Sequence, residues 1–233
     1  MKKKNYFGKY GFTLAEVLIT LGVVGVVSAI TIPTLIRNYQ KQVTVTQLKK
    51  AYSELSQAIK KAEVEHEIME TWNFADFDSA INRATYFAEN YIFPNVKVIK
   101  KCIPSSSECW VDNIKDLKNV ELATLNTSGH ISFITPSGFS VLHWLHADGT
   151  GGFFYVDING PKKGPNRYGR DIFVMGITFQ LKDSDRSRGV HLYGNSKNIE
   201  TLKQNCNKDS GIGTMCAELI MRNGWKIKDD YPW

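Results

Sequence analysis

The most informative part of the sequence is an apolar stretch that reads Phe12-Thr-Leu-Ala-Glu-Val-Leu-Ile-Thr-Leu-Gly-Val-Val-Gly-Val-Val-Ser-Ala-Ile-Thr-Ile32. Its 21 residues carry a single charge, on Glu16. At a rise of about 1.5 Å per residue, a helix of this length covers roughly 30 Å, the thickness of the hydrocarbon core of a bilayer. The stretch therefore predicts a helix that crosses a membrane once.

Basic residues precede this stretch and predict its orientation. They are Lys2, Lys3, Lys4 and Lys9, and no acid lies among residues 1–11. Lysines beside a membrane helix favour the cytoplasmic side, so we expect the C-terminal part of the chain outside the cytoplasm. The whole chain has 29 basic and 23 acidic residues, and removing these four lysines leaves 25 against 23. The basic excess thus belongs mainly to the N-terminal segment and says little about partners of the remainder.

Three fates of the apolar stretch fit its flanks. The first is a signal peptide cut after Val27-Ser28-Ala29, although the apolar part of a cleavable signal spans typically ~7–15 residues. The second is an uncleaved anchor of no special class. The third is a leader that is cut between Gly11 and Phe12.

Glu16 favours the third fate. A carboxylate inside an apolar helix costs about 2.5–3.5 kcal/mol on insertion scales, and a plain anchor or signal has no use for it. Cleavage before Phe12 would create an α-amine one helical turn before Glu16. The carboxylate could then pair with this amine, or with the amine of a neighbouring subunit in a packed helical array.

At this point the sequence resembles a known family. Gly11, Phe12 and Glu16, which follow a lysine-rich leader and begin an apolar run, resemble the cleavage and methylation motif of type IV prepilins and type II secretion pseudopilins. The resemblance covers residues 8–36. It implies that a prepilin peptidase cuts after Gly11 and methylates Phe12, and that Glu16 neutralises the N-terminus of a neighbour during assembly. It also implies that Pro33 is a point where the helix kinks or melts on assembly.

The resemblance implies a structural subunit rather than an enzyme. Such a subunit crosses the bacterial inner membrane once, with its C-terminal domain in the periplasm or outside the cell, and enters a pilus or a pseudopilus. Its expected partners are the prepilin peptidase, other pilin or pseudopilin subunits and an inner-membrane assembly platform. The alternative is a membrane-tethered minor pilin that acts as a receptor for DNA or another ligand.

The helix is expected to continue past the membrane as an amphipathic segment. Proline removes one helical hydrogen bond, but the helix-forming sequence after Pro33 argues that the helix does not end there. Apolar residues recur at steps of three and four, which predicts one buried face: Leu48, Ala51, Tyr52, Leu55, Ala58, Ile59 and Ala62. The predicted organisation is a leader at 1–11, a transmembrane and assembly helix at 12–36, its amphipathic continuation at 37–68, and a globular domain at 69–233.

The globular domain is predicted to contain an antiparallel sheet. Four stretches have strand character, at residues 130–134, 139–145, 152–158 and 171–181, with a possible edge strand at 191–193. Helices are predicted from an Asp78 N-cap to Tyr91 and over residues 214–223. The expected fold class is α+β and pilin-like, with the sheet laid over the C-terminal half of the long helix.

Four cysteines form two local pairs, Cys102 with Cys109 and Cys206 with Cys216. Neither spacing is the short one of a zinc knuckle. Two disulfides fit an exported chain, and four reduced thiols would fit a cytosolic one.

One loop offers candidate metal ligands. Asp157, Asn159, Asn166 and Asp171 lie in a segment rich in glycine and proline between two predicted strands, and their oxygens suit Ca²⁺. The segment lacks the terminal glutamate of an EF-hand loop. The alternative is a structured turn in which these side chains bond to the local backbone. No other cofactor is expected.

The remaining polar residues give little support for a catalytic site. The histidines show no metal-ligand spacing and are expected on the surface or in hairpins: His66, His130, His143, His146 and His191. A basic cluster around Tyr168 would suit DNA phosphates, and its members are Lys162, Lys163, Arg167, Arg170, Arg186 and Arg188. The alternative is solvated loop charge, mixed with Asp171, Asp183 and Asp185.

Overall fold

The computed structural model describes residues 11–180, 187–209 and 211–233. They fall into two compact units that divide after Lys41, and the larger unit is Gln42–Trp233. One long helix, α1 (Leu14–Glu65), runs through both. The predicted leader, with its lysines, lies outside the described residues except for Gly11.

A single six-stranded sheet forms the centre of the larger unit. Its strand order is β1-β2-β3-β4-β5-β6, and every neighbouring pair is antiparallel. The strands are β1 (Lys100–Cys102), β2 (Ile131–Ile134), β3 (Ser140–Leu145), β4 (Gly151–Asp157), β5 (Ile172–Thr178) and β6 (Gly189–Leu192). The shorter helices are α2 (Ala80–Phe87), α3 (Ile199–Asn205) and α4 (Cys216–Arg222). The expected α+β fold, with a long helix packed against an antiparallel sheet, is confirmed.

The predicted apolar stripe of α1 packs into the core of this unit. Leu48, Ala51, Leu55, Ala58, Ile59 and Ala62 are all at most 1% exposed. They share one hydrophobic cluster with residues of the inner sheet face, among them Phe133, Phe154 and Met175. Burying a side chain of leucine or isoleucine size contributes about 1.5–3 kcal/mol, so this stripe anchors the helix to the sheet.

A second, smaller cluster covers part of the outer sheet face. Trp110, Val111 and Ile114, from the connection between β1 and β2, pack on Leu142 and Val174. Because both faces are covered there, all seven residues of β5 are buried. A strand buried on both faces shows no alternation of polar and apolar residues, which explains the continuous apolar run in its sequence.

Several element boundaries differ from the sequence predictions. Strand β1 and helix α3 were not predicted. Strand β1 consists of two exposed lysines and Cys102, so pairing with β2, rather than local propensity, defines it. The N-cap of α2 is Ser79, whose hydroxyl accepts from the Asn82 N–H at 3.3 Å. The predicted cap, Asp78, bonds instead to the Asn82 side chain.

Two long elements also end earlier than the sequence predicts. Helix α1 ends at Glu65 rather than at residue 68, and β5 ends at Thr178 rather than at residue 181, which is not described. A π-helical turn (Ala88–Ile92) extends α2 close to the predicted end near Pro94.

Candidate functional site

The first turn of α1 is closed by a reciprocal cap. The Thr13 N–H and the Thr13 hydroxyl donate to Glu16 Oε2, each at 2.8 Å. The Glu16 N–H donates back to the Thr13 hydroxyl oxygen at 3.2 Å. This is a capping box, in which a threonine and a glutamate three positions later satisfy each other's backbone donors. Sequence reasoning missed this role of Glu16, although the Thr-x-x-Glu spacing was the signal for it.

The apolar stretch of α1 is exposed along its whole length. Phe12, just before the helix, is 88% exposed. The most apolar 18-residue segment of α1 is 0% buried. By length and composition, α1 is able to cross a membrane. Large exposed apolar surfaces mark sites of contact with a membrane or with other proteins, so this stretch is a candidate contact surface.

Pro33 lies inside α1, which continues without interruption on both sides. The expectation that the helix does not end at this proline is confirmed. Proline has no N–H to donate, so one carbonyl of the preceding turn lacks its helical bond. The expected kink or melting during assembly stays a prediction.

Both predicted cysteine pairs form disulfides. Cys102 bonds to Cys109 beside β1, and Cys206 bonds to Cys216, which joins the end of α3 to the start of α4. Within the described chain, which holds all four cysteines, no thiol is free. Paired cysteines of this kind persist in oxidising compartments.

The four candidate Ca²⁺ ligands lie in the loop that joins β4 to β5. Asp157 is the last residue of β4, and Asp171 directly precedes β5. The Ile158 N–H donates to the Asp171 carbonyl oxygen at 2.9 Å, which holds the two ends of the loop together. The strand pairing therefore brings both acids to one place.

Asp171 accepts three hydrogen bonds within this loop. Its Oδ2 accepts from the Asn166 N–H at 2.8 Å and from the Asn159 side-chain amide at 3.4 Å. Its Oδ1 accepts from the Arg167 N–H at 2.7 Å. Both oxygens of Asp171 thus have partners from the chain.

Asp157 organises the start of the loop. Its Oδ1 accepts from the N–H groups of Asn159 at 3.1 Å and Gly160 at 3.0 Å. Such bonds are those of a structured turn, the alternative that the sequence left open. These hydrogen bonds use only the Oδ1 atom of Asp157 and give the Oδ2 atom no partner.

Three oxygens of the loop lie outside this network. Asp157 Oδ2, Asn159 Oδ1 and Asn166 Oδ1 are buried and bond to no part of the chain that the structure describes. Leaving a buried polar atom unpaired costs about 1–3 kcal/mol, and a bound water or cation would satisfy these oxygens. The same loop also holds an unpaired buried donor, Arg167 Nε.

Calcium fits these donors, because it binds carboxylate and amide oxygens in flexible loops. Asp157, Asn159 and Asn166 would hold the ion, which would neutralise buried negative charge there. In the described residues no three His, Cys, Asp or Glu side chains form a metal-binding group. A calcium site here would therefore depend on the amide oxygens of Asn159 and Asn166 as well as on Asp157.

The two carboxylates of the loop have perturbed acidities. Burial, and then the charge of Asp171, raise the pKa of Asp157 to about 7, against two backbone hydrogen bonds that lower it. Burial also raises the pKa of Asp171, against the donors that stabilise its charge. Both effects disfavour the doubly ionised loop, and a bound cation would reverse them.

The C-terminal residues support the same loop. The Tyr231 hydroxyl donates to the Gly169 carbonyl oxygen, and the Arg170 guanidinium lies 4.5 Å from the centre of the Trp233 ring. Gly169 has a φ of +73°, and a Cβ there would lie 2.8 Å from Cys216 Sγ. Glycine is the residue that fits such a position. Sequence reasoning assigned these C-terminal residues no role.

Comparison with known protein families gives one match. A family of unknown function, DUF6613, matches residues 34–233. The chain belongs to the DUF6613 family. The match begins directly after Pro33 and covers the whole of the larger unit, while it does not include residues 11–33. No curated protein and no solved structure matches the chain.

The histidines of this DUF6613 protein lie mostly in half-buried positions, but His143 is 0% exposed. Its ring lies between those of Phe87 and Phe154, with centroids 5.1 and 4.7 Å away. Burial lowers the pKa of His143 to about 3. His143 lies in the β2–β3 hairpin, opposite Ile131, which is one of the two predicted positions. It is buried rather than on the surface because α2 packs on this face of β3.

Two of the basic residues predicted to contact DNA have other partners in this DUF6613 protein. Arg188 pairs with Glu70, and Arg170 stacks on Trp233. Arg186, Asp183 and Asp185 lie outside the described residues. Of the basic residues predicted to contact DNA, Lys162 and Lys163 are exposed and remain candidates for that contact.

Proposed function

We propose that this DUF6613 protein is a membrane-anchored structural subunit of a type IV pilus or a type II secretion pseudopilus. One observation carries the proposal: an exposed apolar helix of membrane length begins two residues after the Gly11-Phe12 pair and has one acid in its first turn. The proposed role is assembly rather than catalysis.

The first step is insertion of the helix with its N-terminal lysines on the cytoplasmic side. The cap at Thr13 supports this step, because it gives the Glu16 carboxylate two donors at the helix start. The positive end of the helix dipole also stabilises an acid in the first turn. The charge on Glu16 is therefore tolerated near the membrane surface.

The second step is removal of the leader between Gly11 and Phe12 by a prepilin peptidase, followed by methylation of Phe12. The new α-amine would lie one residue before Thr13, whose N–H already bonds to Glu16. In a packed array, the Glu16 carboxylate would pair with the amine of a neighbouring subunit. Charge pairing and apolar contact would then hold the helices together laterally.

The globular unit would face away from the cytoplasm. Its two disulfides support export, because they persist in the periplasm and at the cell surface. Residues 42–65 of α1 belong to this unit, since their apolar face is part of its core.

The test is the mature N-terminus of the membrane-associated protein, made in a host that has its leader peptidase. N-terminal sequencing and intact mass should show a chain that begins with methylated Phe12. Gly11→Val should block cleavage, and it should leave the fold unchanged because nothing lies within 4 Å of this glycine. A chain that starts at Ile30, or that retains Met1, would overturn the proposal.

A second function has its own supporting observation. The three unpaired oxygens of the 157–171 loop favour Ca²⁺ binding by Asp157, Asn159 and Asn166. The ion would stabilise the folded domain rather than take part in a reaction. Calcium at about 100 times its dissociation constant should stabilise the domain by about 2.7 kcal/mol.

Thermal unfolding with Ca²⁺, with Mg²⁺ and with a chelator tests this binding. Asp157→Asn should abolish the Ca²⁺-induced increase in melting temperature. Asp116→Asn is the matched control, because Asp116 is also buried and its carboxylate accepts from the Lys118 and Val120 N–H groups. An equal response to Ca²⁺ in Asp157→Asn and in the unmodified protein would exclude the site.

A further inference from the structure

Half-buried rings cover one end of the outer sheet face. Phe153 lies at their centre, and its ring centroid is 5.3 Å from those of Trp144 and His146 and 5.5 Å from that of Tyr193. His130 extends the row beyond Trp144 at 5.7 Å. We call these five residues the aromatic platform. Their rings pack on one another and yet remain partly accessible to solvent.

A pocket of about 260 Å³ opens beside the platform. In the strand ladder Phe153 lies opposite Gly176, and Gly176 lies opposite His191. Glycine at position 176 leaves room for the His191 ring, which lies directly over it, so that a side chain there would collide with this ring. The His191 ring lines the pocket together with Phe153 and Tyr193.

Polar groups line the other side of the pocket. Thr178 Oγ1 lies 3.0 Å from His191 Nε2. The turn after β6 adds Asn195 and Lys197, and the Lys197 N–H closes this turn on the Gly194 carbonyl oxygen at 2.9 Å. Apolar rings with a few convergent polar groups are typical of sites for small ligands.

We propose that this pocket binds one ring of a neutral saccharide. The flat face of a sugar carries C–H groups, which pack on the electron-rich face of an aromatic ring. Its hydroxyl groups, arranged around the edge, need donors and acceptors when they are buried. Phe153 and Tyr193 supply the aromatic surface, and Thr178, Asn195 and Lys197 supply the polar edge.

The size of the pocket agrees with this ligand. Its volume is below the range of about 300–1,000 Å³ that is usual for drug-sized ligands, so it suits a single sugar ring of a longer chain. The pocket is open to solvent beside the platform, where further sugar units would lie against Trp144 and His130.

The charge of the pocket distinguishes a saccharide from a nucleic acid. Among the described residues that line it, Lys197 alone carries a permanent positive charge, and none is an acid. Proteins that bind single-stranded nucleic acid combine stacking rings with several cations, because phosphate neutralisation dominates their affinity. The pocket offers the rings without the cations. It lies wholly within the Gln42–Trp233 unit, so this proposal does not depend on the anchor or on assembly.

The experiment uses the full chain in micelles of a phosphocholine detergent, because glucoside or maltoside detergents are themselves saccharides. Cellohexaose, chitohexaose and mannohexaose are the neutral probes, and oligothymidylate is the anionic probe. Saturation-transfer difference NMR detects binding, and isothermal titration calorimetry measures the dissociation constants.

Two variants change the pocket from opposite sides. Phe153→Leu removes the central ring and keeps an apolar side chain, and Gly176→Ala displaces the His191 ring that lines the pocket. The matched control is Tyr86→Leu, which removes a partly exposed ring of α2 that does not line the pocket. At least one saccharide should bind, and each pocket variant should weaken it by about tenfold or more, which is a loss of about 1.4 kcal/mol. The control should bind as the unmodified protein does.

Three results would overturn the proposal. They are no binding of any of the three saccharides, binding that both pocket variants retain, and tighter binding of oligothymidylate than of every saccharide. Melting temperatures are measured for all variants, and if Phe153→Leu is unstable, Gly176→Ala decides the outcome.

Discussion

The backbone N–H and the hydroxyl of Thr13 share one acceptor, Oε2 of Glu16, with both distances at 2.8 Å. A single carboxylate thereby closes the first turn of α1. In the proposed assembly, the same carboxylate also meets a protonated α-amine. The two roles are separable, because the cap needs an oxygen acceptor whereas the ion pair needs a negative charge.

Glu16→Gln should therefore keep the cap and lose assembly. The glutamine side-chain oxygen still accepts from Thr13, so insertion and helix content should not change. Filament formation, measured by sedimentation and by cross-linking of neighbouring subunits, should fall to background. Glu16→Ala should lose both roles of the carboxylate, although the N–H of residue 16 still donates to the Thr13 hydroxyl. Thr13→Ala is the control that removes the N-cap side chain, at a cost of about 1 kcal/mol of helix stability, and keeps the charge. Normal filaments from Glu16→Gln would remove the charge-pairing step.

Asp157 should make the domain less stable as the pH rises from about 4 to about 7. Its folded pKa of about 7 lies above the ordinary value of 3.8, so the folded state binds more protons than the unfolded state in this interval. Stability is then lost with rising pH, by up to about 1.36 kcal/mol per pH unit. The decrease should level off above pH 7.

Asp157→Asn should reduce this decrease and leave the part that comes from the raised pKa of Asp171. Saturating Ca²⁺ should also reduce it, because the ion favours the ionised loop. Denaturant unfolding across the pH range measures both effects, and Asp116→Asn serves again as control. A pH dependence that is the same in Asp157→Asn and in the unmodified protein would contradict the assignment.

His143 should act in the opposite direction. Its folded pKa of about 3 lies below the ordinary value of 6.5, so the unfolded state binds more protons between these values. Stability should therefore be complete above about pH 6.5 and fall as the pH decreases towards 3.

His143→Gln keeps a polar group near the Phe153 carbonyl oxygen, which lies 3.0 Å from the His143 Nδ1 atom, and does not titrate. The variant should flatten the acid side of the stability curve relative to the unmodified protein. His66→Gln is the control, since His66 is half-buried at the end of α1. An unchanged acid side in His143→Gln would show that other groups control acid unfolding.

Gly169→Ala should destabilise the domain by about 1–3 kcal/mol or more, because it places a Cβ against Cys216 Sγ at a positive φ. Gly164→Ala is the matched control in the same loop. A Cβ at position 164 meets nothing closer than 3.9 Å, and its φ is not in the left-handed region. Thermal unfolding compares the two variants, and equal melting temperatures would mean that the contact with the disulfide is not a constraint.

Much of the fold was readable from local sequence. The membrane-length run, the apolar stripe from Leu48 to Ala62 and four of the strands each depend on residues close together in the chain. The two disulfides also join near neighbours, Cys102 with Cys109 and Cys206 with Cys216. Hydrophobic periodicity and short loop closure act within such distances, so these predictions agree with the structure.

The sequence also indicated the residues of the loop at 157–171 as candidate ligands, but not which of their side-chain oxygens are hydrogen-bonded. Asp157 and Asn166 were named as candidate ligands from composition alone. Only the folded loop shows that Asp171 has its oxygens satisfied by backbone donors, whereas Asp157 Oδ2 and Asn166 Oδ1 remain unpaired. The difference depends on pairing between β4 and β5, which local sequence does not specify.

By itself, the sequence determined the long helix, its membrane-length apolar half and the α+β class. Tertiary structure alone decided the edge strand β1, the burial of His143 and the pocket between Phe153 and His191. The physical reason is that helix and turn signals are local, whereas these features arise where separate strands pair across a sheet. Which face of a strand is covered, and which polar atom keeps a partner, depends on residues far away in the chain.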